Sequence, residues 1–295
     1  MQATIIDGKK TAAKLRDELA QEIEVLKTNG CFPRLEVILV GEDPASQVYV
    51  GMKQKDCEKV GILGKTTHLP DSTSETELLQ LVEQFNNDDE VHGILVQLPL
   101  PSQISEKKVI ETISPDKDVD GFHPVSRGKL LAGEECFVPC TPAGMQELLK
   151  EYDIDPKGKH VVVVGRSNIV GKPFAVMMMQ KQAWANATVT VCHTGSGDLQ
   201  PYTTQADILV AAAGRPGVIT KDMIKPGAVV IDVGVNRVDD SSKERGYRLV
   251  GDVDYEAALK VASAITPVPG GVGPMTRAML LKNTVTSAKK FHKLD

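Results

Sequence analysis

Short apolar runs that suit buried strands alternate with helical patterns along most of the chain, and this alternation limits the fold more than any other feature. The first series has strands at 35–41, 65–69 and 93–98 and helices at 8–30, 45–60, 74–85 and 106–113. Strands separated by helices indicate parallel sheets with helices packed on their faces. We therefore expect an α/β protein.

A second series of the same kind follows a helical pattern at 142–152. Its strands are expected at 160–164, 188–192, 207–212, 228–233 and 248–253. Such a series is typical of a doubly wound parallel sheet of the Rossmann type. Between 114 and 141 the periodicity fades and Asp, Gly and Pro become frequent, which indicates a linker or a site loop. The chain ends in a periodic helix from Thr276 to about Phe291.

The length of 295 residues fits two domains. We expect two α/β domains that flank a cleft holding the active site. The first domain comprises 1–142 plus 275–295, and the second, a Rossmann-type domain, comprises 143–274.

Composition argues against several classes of partner. The chain has 34 basic and 39 acidic residues and a formal net charge of −5, whereas nucleic-acid-binding proteins are normally basic. No apolar run approaches the roughly 18 residues of a membrane-spanning helix, and the N-terminus lacks the apolar core of a secretory signal. The five cysteines include no C-x-x-C pair, which favours structural thiols and no metal site. We expect a cytoplasmic protein that binds neither nucleic acid nor membrane.

The segment GRSNIVGKP follows the strand at 160–164, so Gly165 stands where the strand ends and Gly171 where a helix begins. Glycines at such a turn let the backbone approach a ligand closely, and N–H groups at the helix start bind phosphate. Ser167 occupies the place of the second glycine of a dinucleotide turn. A βα turn without a ligand is therefore the alternative.

The next strand ends about 20 residues further on, where NAD-binding proteins carry an acidic residue for the ribose hydroxyl. Here the stretch reads CHTGSGD, and its first carboxylate is Asp198. The missing acid, together with Arg166 and the hydroxyls of Ser167 and Thr194, favours a 2′-phosphate and hence NADP over NAD. His193 in this stretch could instead be a helix-end or core histidine.

Tyr49 and Lys53 are four residues apart on the helix expected at 45–60, so both project from one face. This helix follows the strand at 35–41, near the carboxyl edge of the sheet, where open α/β proteins form binding sites. A lysine that is partly desolvated beside an aromatic ring can carry protons near neutral pH. The alternative is a surface lysine whose alkyl chain covers apolar residues.

Polar residues mark the end of the strand at 93–98 and the loop at 117–124. Gln97 ends an otherwise apolar strand, and such an amide faces a cleft or caps a loop. The loop KDVDGFHP offers Asp118 and Asp120, which could form a metal pair, a turn or one ligand-binding carboxylate. His123 in the same loop is most simply a solvated or locally bonded side chain.

The segment TPVPGGVGP contains three prolines and three glycines within nine residues. Stiff backbone with few side chains suits close contact with a flat ligand. The alternative is a strained turn that joins two domains.

Six motifs occur along the chain in this order: YVGMK, GILVQLPLP, DKDVDGFHP, PCTP, GRSNIVGKP and TPVPGGVGPMT. Together they closely resemble bifunctional methylenetetrahydrofolate dehydrogenase/cyclohydrolase, and the resemblance covers nearly the whole chain. It implies NADP-dependent oxidation of 5,10-methylenetetrahydrofolate to the 5,10-methenyl form. Hydrolysis to 10-formyltetrahydrofolate would follow in the same site.

The resemblance also implies roles for individual residues. Lys53 would be the main catalytic residue and would handle protons and water in the hydrolysis. Tyr49 would pack along the aminobenzoyl group, and Gln97 would hydrogen-bond Lys53 and the reacting region. Asp120 would accept hydrogen bonds from the pterin ring. The implied folate-binding residues are Tyr49, Lys53, Gln97, Leu98, Asp120, Pro269, Gly270 and Gly271.

The cofactor NADP has its own implied residues. Near the adenosine phosphates these are Gly165, Arg166, Ser167 and Thr194, and towards the nicotinamide they are Val235 and Thr276. The resemblance further implies a homodimer, and a place in one-carbon metabolism and purine biosynthesis.

Two other functions stay open on the sequence. A monofunctional dehydrogenase of the same fold would release the methenyl product, although the combination of Lys53 with Gln97 argues against it. A non-catalytic dinucleotide-binding regulator could use the same glycine turn.

Overall fold

The computed structural model describes residues 2–243 and 246–294. The chain divides into two compact units. The three-stranded unit comprises Ala13–Cys140 and Arg277–Asp295, and the six-stranded unit comprises Met1–Ala12 and Thr141–Thr276. Each unit is named after its main sheet.

Strands and helices alternate along both units. The strands are β1 (Thr4–Ile5), β2 (Arg34–Val40), β3 (Leu63–Leu69), β4 (Gly93–Val96), β5 (His160–Val164), β6 (Thr188–Cys192), β7 (Ile208–Ala211), β8 (Val229–Asp232), β9 (Asn236–Asp239), β10 (Tyr247–Val250) and β11 (Ala264–Ile265). The helices are α1 (Gly8–Thr28), α2 (Pro44–Val60), α3 (Glu75–Asn86), α4 (Glu106–Thr112), α5 (Pro124–Ala132), α6 (Cys140–Glu151), α7 (Gly171–Met179), α8 (Gln200–Thr203), α9 (Tyr255–Ala258) and α10 (Val272–His292).

The sheet of the three-stranded unit has the order β3-β2-β4, and all its strands are parallel. The central strand β2 is buried from Leu35 to Val40, whereas the edge strand β3 has no buried residue. Apolar side chains of β2 and β4 pack against those of α3 and α4 in one core. Because the strands are parallel, β2 and β4 end at the same edge of the sheet.

The sheet of the six-stranded unit has the order β1-β11-β8-β7-β5-β6 and is also parallel throughout. Strands β7 and β8 are buried along their whole length, as expected for strands covered on both faces. The chain moves from β5 to β6 on one side and then to β7 on the other. The predicted doubly wound α/β fold is confirmed, with its topological switch point between β5 and β7.

The division into units differs from the predicted one chiefly at the N-terminus, where 1–142 were expected to belong together. Thr4 and Ile5 pair with Ala264 and Ile265, so the first residues of the chain belong to the six-stranded unit. A two-residue strand carries no periodic signal. Only pairing with a strand far away along the chain reveals it.

Two predicted elements are wrong. The run at 248–253 was expected to join the parallel sheet, but β10 instead pairs antiparallel with β9 in a separate two-stranded sheet. The loop expected at 114–141 contains helix α5, in which Pro124 occupies the first turn. Gly128 in the middle of this helix lowers its local helical propensity, which explains why the pattern is faint.

Helix α10 begins at Val272 rather than at the expected Thr276. Gly273 and Pro274 therefore lie in its first turn. Proline is tolerated there because the first N–H groups of a helix have no partner within it.

Candidate active site

Helix α2 carries two of the expected site residues at the carboxyl edge of the three-stranded sheet. Its start is fixed by Asp43, whose Oδ2 accepts a hydrogen bond from the Ser46 N–H at 2.7 Å, and by Pro44 in the first turn. Tyr49 and Lys53 then lie one turn apart on one face. Tyr49 is 44% exposed, and Lys53 is half-buried.

Gln97 holds the end of Lys53. The Lys53 Nζ donates a hydrogen bond to Gln97 Oε1 at 3.0 Å. Gln97 follows β4, its backbone N–H donates to the Ile38 carbonyl at 2.8 Å, and its Nε2 donates to the Leu98 carbonyl at 2.7 Å. The amide is therefore held at both ends, with its oxygen turned to the ammonium group. Lys53 is engaged by a polar partner instead of extending along the surface.

Asp120 lies close enough to Lys53 for the two charges to interact. Burial raises the pKa of the Asp120 carboxyl, while the positive charge of Lys53 acts in the opposite direction. Burial likewise raises the pKa of the Cys140 thiol well above its usual value. The structure thus brings Lys53, Gln97 and Asp120 together at one edge, as expected, and Tyr49 lies one turn before Lys53.

Two residues outside the expected site fix the backbone carbonyl of Val119, directly before Asp120. The Nδ2 of Asn283 on α10 donates to the Val119 carbonyl at 2.8 Å and to the Val138 carbonyl at 3.3 Å. The Cys140 Sγ donates to the same Val119 carbonyl at 3.3 Å. Nothing near Asn283 in the sequence points to this contact. A lone amide in the last helix was the only available signal.

Both carboxylate oxygens of Asp118 bind the loop that follows it. Its Oδ2 accepts from the His123 N–H at 2.7 Å and its Oδ1 from the Phe122 N–H at 3.2 Å. Burial raises the pKa of Asp118 to about 6. His123 caps α5, since its Nδ1 accepts from the Val125 N–H at 3.0 Å. Both side chains therefore hold this loop, and His123 Nε2 also lies 3.3 Å from the Glu111 carbonyl oxygen.

In the six-stranded unit the expected glycine turn lies at the switch point. Gly165 has a φ of +136°, and a Cβ there would lie 2.1 Å from the Ala212 carbonyl oxygen. A Cβ on Gly171 would lie 2.1 Å from the Gly165 carbonyl oxygen. Both positions require glycine because backbone packs directly on backbone. The turn leads straight into α7, so helix N–H groups lie beside it.

Hydroxyl groups surround this turn and the end of β6. Ser167 Oγ accepts from the Val170 N–H at 3.1 Å, next to the exposed Arg166. Beyond β6, His193 Nδ1 accepts from the Gly195 N–H at 3.0 Å, and this turn leaves Thr194 exposed. His193 is thus neither a helix-end nor a core histidine, because it holds the turn.

The other expected cofactor residues lie further along the same unit. Val235 follows β8 and is 50% exposed. Thr276 is half-buried on α10, and its Oγ1 lies 3.0 Å from the Oγ1 of Thr141, so the two hydroxyls share a hydrogen bond.

The glycine- and proline-rich loop before α10 also belongs to the six-stranded unit. Gly270 has a φ of +116°, and the Gly271 N–H donates to the Pro267 carbonyl at 2.8 Å. The start of α1 packs on this loop: the Lys9 N–H donates to the Gly270 carbonyl at 3.0 Å, and a Cβ on Gly8 would lie 1.8 Å from the Gly271 oxygen. Gly8 was not among the expected site residues, although a glycine that opens a helix was a visible signal.

These features fit a dinucleotide phosphate. The glycine turn allows close approach of backbone, the start of α7 supplies N–H groups, and Arg166 with nearby hydroxyls supplies donors for a further phosphate. Cys192 ends β6, where an acid would select the unphosphorylated ribose. The residues present therefore suit NADP.

Within residues 2–243 and 246–294, no helix combines the length and apolar character needed to cross a membrane. Over the same residues, no three or more His, Cys, Asp or Glu side chains are grouped so that they could hold a metal ion. The five cysteines are free thiols.

Comparison with known families gives two matches that together span most of the chain. The model described as "Tetrahydrofolate dehydrogenase/cyclohydrolase, catalytic domain" matches residues 6–120. The model described as "Tetrahydrofolate dehydrogenase/cyclohydrolase, NAD(P)-binding domain" matches residues 139–292.

Individual relatives match over their full length. The bifunctional protein FolD of Chlorobium phaeobacteroides (strain BS1) is 56% identical over 295 residues, which is 99% of each chain. The protein of the same name from Moorella thermoacetica is 57% identical over 290 residues, 98% of this chain and 100% of the relative.

Solved structures agree with these matches. The bifunctional FolD methylenetetrahydrofolate dehydrogenase/cyclohydrolase of Campylobacter jejuni is 51% identical with a TM-score of 0.92, covering 98% of this chain and 99% of its own. The methylenetetrahydrofolate dehydrogenase-cyclohydrolase of Trypanosoma brucei, complexed with NADP cofactor and inhibitor, is 41% identical with a TM-score of 0.92, covering 98% of both chains.

Proposed function

The chain belongs to the tetrahydrofolate dehydrogenase/cyclohydrolase family and is a bifunctional enzyme, and from this premise we propose that Lys53, Gln97 and Asp120 carry its folate chemistry. The enzyme oxidises 5,10-methylenetetrahydrofolate to the 5,10-methenyl cation and hydrolyses this cation to 10-formyltetrahydrofolate. The observation that carries the proposal is the hydrogen bond of 3.0 Å between Lys53 Nζ and Gln97 Oε1 at the carboxyl edge of the sheet.

Oxidation removes a hydride from the methylene bridge of the folate. NADP, when bound, supplies the acceptor for that hydride. The protein has to hold the reacting rings in a fixed geometry, and such positioning contributes a large part of the rate. We assign this task to Asp120, which would accept hydrogen bonds from the pterin ring, and to the exposed ring of Tyr49, which would pack along the aminobenzoyl group.

Hydrolysis needs a proton carrier beside the reacting carbon. Water adds to the carbon between N5 and N10 of the methenyl cation and loses a proton. The hydroxyl of this adduct then gives up its proton as the bond from the carbon to N5 breaks and N5 takes up a proton. The formyl group stays on N10, and one proton is released overall. Lys53 is the group we assign to move these protons. Gln97 fixes the position of its Nζ.

We assign the remaining expected residues to ligand binding. Leu98, Pro269, Gly270 and Gly271 would line the folate. Gly165, Arg166, Ser167 and Thr194 would hold the adenosine phosphates of NADP, with Val235 and Thr276 nearer the nicotinamide. The exposed Arg166 and Thr194 support NADP, because they are donors for a 2′-phosphate where β6 ends without an acid.

The proposal also includes the assembly, location and metabolic role of the enzyme. We infer a homodimer in the cytoplasm that supplies one-carbon units for purine biosynthesis. The edge strand β6 supports the dimer, since Thr188 and Val191 are exposed on a strand that has a partner on one side only. Size-exclusion chromatography with light scattering would detect a monomer if this inference is wrong.

Replacing Lys53 tests the assigned chemistry. We expect Lys53→Met to lower the rate of methenyltetrahydrofolate hydrolysis by about 10²- to 10⁴-fold, the usual contribution of a general acid–base group. Lys55→Met is the matched control, since Lys55 is an exposed lysine on the same helix. Absorbance of the methenyl form follows the reaction. Hydrolysis at the parental rate in Lys53→Met would show that the assignment is wrong.

The two alternative functions are distinguished with the parent protein. A monofunctional dehydrogenase would accumulate the methenyl product, and a non-catalytic regulator would form no NADPH from methylenetetrahydrofolate and NADP. Initial rates with NADP and with NAD test the cofactor assignment. A clear preference for NAD would contradict the argument from the missing acid.

A further inference from the structure

Two buried aspartates bind the loops at the carboxyl edge of the six-stranded sheet. Asp252 is 0% exposed. Its Oδ2 accepts hydrogen bonds from the Ala213 N–H at 2.7 Å and from the Gly214 N–H at 2.8 Å, and its Oδ1 accepts from Asn236 Nδ2 at 2.9 Å. One carboxylate therefore joins the loop after β7 to the segment after β8.

Asp232, at the end of β8, is 2% exposed and completes the arrangement. Its Oδ1 accepts from the N–H groups of Gly234 and Asp252, both at 2.9 Å. Its Oδ2 accepts from the Val253 N–H at 3.0 Å. Asp232 thus holds the segment that carries Asp252, and Asp252 in turn holds the loops. We call the two residues the carboxylate clamp.

Glycines make room for both carboxylates. A Cβ on Gly251 would lie 1.8 Å from Asp232 Oδ2, and a Cβ on Gly234 would lie 2.1 Å from Asp252 Oδ1. Any side chain at either glycine would displace the carboxylate beside it. The position of each carboxylate is therefore determined by steric fit as well as by hydrogen bonds.

Burying two neighbouring carboxylates costs free energy, so the clamp is not an efficient way to stabilise a fold. Within residues 2–243 and 246–294, neither aspartate forms a salt bridge with a lysine or arginine. Burial raises the pKa of Asp232 to about 6, and the charge of Asp252 raises it as well. Buried carboxylates without a cation are usually less stabilising than apolar side chains. Their presence at this edge therefore calls for a role beyond stability.

The loops held by the clamp include residues that we assign to the cofactor. Val235 lies between Gly234, which is bound by Asp232, and Asn236, which is bound by Asp252. On the other side, Ala213 directly follows Ala212, whose carbonyl oxygen packs against the glycine turn that begins at Gly165. Both ends of the assigned cofactor site thus depend on the same pair of carboxylates.

We propose that Asp232 and Asp252 are positioning residues that fix the loops after β7 and β8 for NADP, and that they serve the oxidation but not the hydrolysis. This inference rests on the proposed function, because it takes these loops as the cofactor site. The residues assigned to hydrolysis, Lys53 and Gln97, belong to the other unit. The two activities of one enzyme can therefore report on the clamp separately.

The first experiment replaces Asp252 by asparagine. The new amide has an oxygen on one side and an NH2 group on the other. Its NH2 group therefore faces another donor, either the N–H groups of Ala213 and Gly214 or the Asn236 side chain, and one hydrogen-bonding side is lost. We expect Asp252→Asn to weaken NADP binding and to lower kcat/KM for NADP by about 30-fold, the usual effect of losing a hydrogen bond to a charged group. Hydrolysis of methenyltetrahydrofolate, assayed without cofactor, should stay within about two-fold because the side-chain contacts of Asp252 include neither Lys53 nor Gln97.

A double variant provides the rescue. Combining Asp252→Asn with Asn236→Asp restores a donor facing an acceptor, since the new carboxylate accepts from the new amide. We expect NADP affinity to recover by at least about five-fold relative to Asp252→Asn alone. Asp254→Asn is the matched control, because Asp254 is exposed and caps α9 only two residues away. It should leave NADP affinity unchanged.

Several outcomes would overturn the inference. These are parental NADP affinity in Asp252→Asn, equal losses of oxidation and hydrolysis in that variant, or no recovery in the double variant. Should Asp252→Asn fail to fold, Asn236→Ala removes a single contact of the clamp. It is then expected to weaken NADP binding by about five-fold, and parental affinity would contradict the clamp.

Failure of the proposed function gives a different result. It would appear in the parent protein as the absence of oxidation or of hydrolysis. Titration with NADP alone still tests the clamp in that case, since it measures binding and no turnover.

Discussion

The two units place their assigned residues at the carboxyl edges of parallel sheets, but they use different chemical groups there. The three-stranded unit uses side chains: Lys53, Gln97 and Asp120 meet at its edge. The six-stranded unit uses backbone at Gly165 and Gly171, where a Cβ would lie 2.1 Å from a carbonyl oxygen. A side chain can be removed while the backbone stays in place, whereas backbone packing changes as soon as an atom is added.

This difference suits the two tasks. Hydrolysis needs a group that takes up and releases protons, and titratable side chains usually supply it. Binding of a pyrophosphate needs several N–H groups at short range, which a glycine turn and a helix start supply without a cationic side chain. Substitutions in the two units should therefore fail in different ways.

The largest effect is expected from adding a methyl group to the glycine turn. Gly171→Ala would place its Cβ 2.1 Å from the Gly165 carbonyl oxygen. Because both sides of this contact are backbone, the turn has to move, and we expect a loss of about 3 kcal/mol in the free energy of unfolding, the upper end of the usual cost of overpacking. NADP binding should be lost with it. Urea denaturation and NADP titration measure the two effects, and parental values in both would refute the backbone role.

A moderate effect is expected from removing the amide that holds Lys53. Gln97→Leu deletes the acceptor of the Lys53 hydrogen bond, and we expect hydrolysis to fall by about 30-fold, or about 2 kcal/mol, for a bond to a charged donor. The free energy of unfolding should change little in comparison. Gln54→Leu is the control, since Gln54 is exposed on α2, the helix that carries Lys53. If Gln97→Leu unfolded the protein instead, the contrast between the units would be lost.

An effect of similar size is expected from His92, which makes the stability of the three-stranded unit depend on pH. Burial, and then the nearby charges of His292, Lys117 and Arg34, lower the pKa of His92 to about 4. A pKa lowered by folding gives stability that is complete above the unfolded pKa of about 6.5 and is lost as the pH falls towards 4.

The His92→Asn variant isolates this contribution. Asparagine can still accept the hydrogen bond that the Arg34 N–H donates to His92 Nδ1 at 3.2 Å. Between pH 7.5 and 5.0 the parent should lose about 2 kcal/mol more stability than the variant, from the titration of this one group. Other titrating groups cancel in the comparison. Urea denaturation at both pH values measures it, and equal losses would contradict the assigned burial of His92.

The smallest effect, with the opposite sign, is expected from a glycine that no contact requires. Gly128 lies inside α5, and an added Cβ would meet no atom within 4 Å. We expect Gly128→Ala to raise the free energy of unfolding by about 0.5 to 1 kcal/mol, because alanine favours helix. Thermal denaturation measures this. A lower melting temperature would show that the contrast with Gly171 does not depend on local packing.

Sequence patterns predicted much of the fold because they reflect two local properties. These are the repeat of side-chain direction, which differs between helices and strands, and the burial of each side chain. The run from Leu35 to Val40 is almost entirely apolar, and it is the buried central strand of its sheet. The same reasoning placed Lys53 and Tyr49 on one face of a helix. The strand expected at 248–253 shows the limit, since an apolar run does not state which strand it will pair with.

Parts of the site could not be predicted because they join segments that are far apart along the chain. Asn283 bonds to the Val119 carbonyl across 164 positions, and its own neighbours in the sequence give no sign of this. His123 was expected to be solvated or locally bonded. It is buried, and the local bond is present, since its Nδ1 accepts from the Val125 N–H two residues away. Short-range contacts leave a signal in the sequence, and long-range ones leave little.

The sequence by itself determined the α/β class, the two series of strands and helices, and the motifs that identify the family. Only the tertiary structure decided that β1 joins the six-stranded sheet, that β10 pairs outside it, and that Asp232 and Asp252 bind five backbone N–H groups. The physical reason is that the spacing of apolar residues along a segment indicates which of its positions are buried. Which distant donor meets a buried carboxylate is settled only when the segments pack.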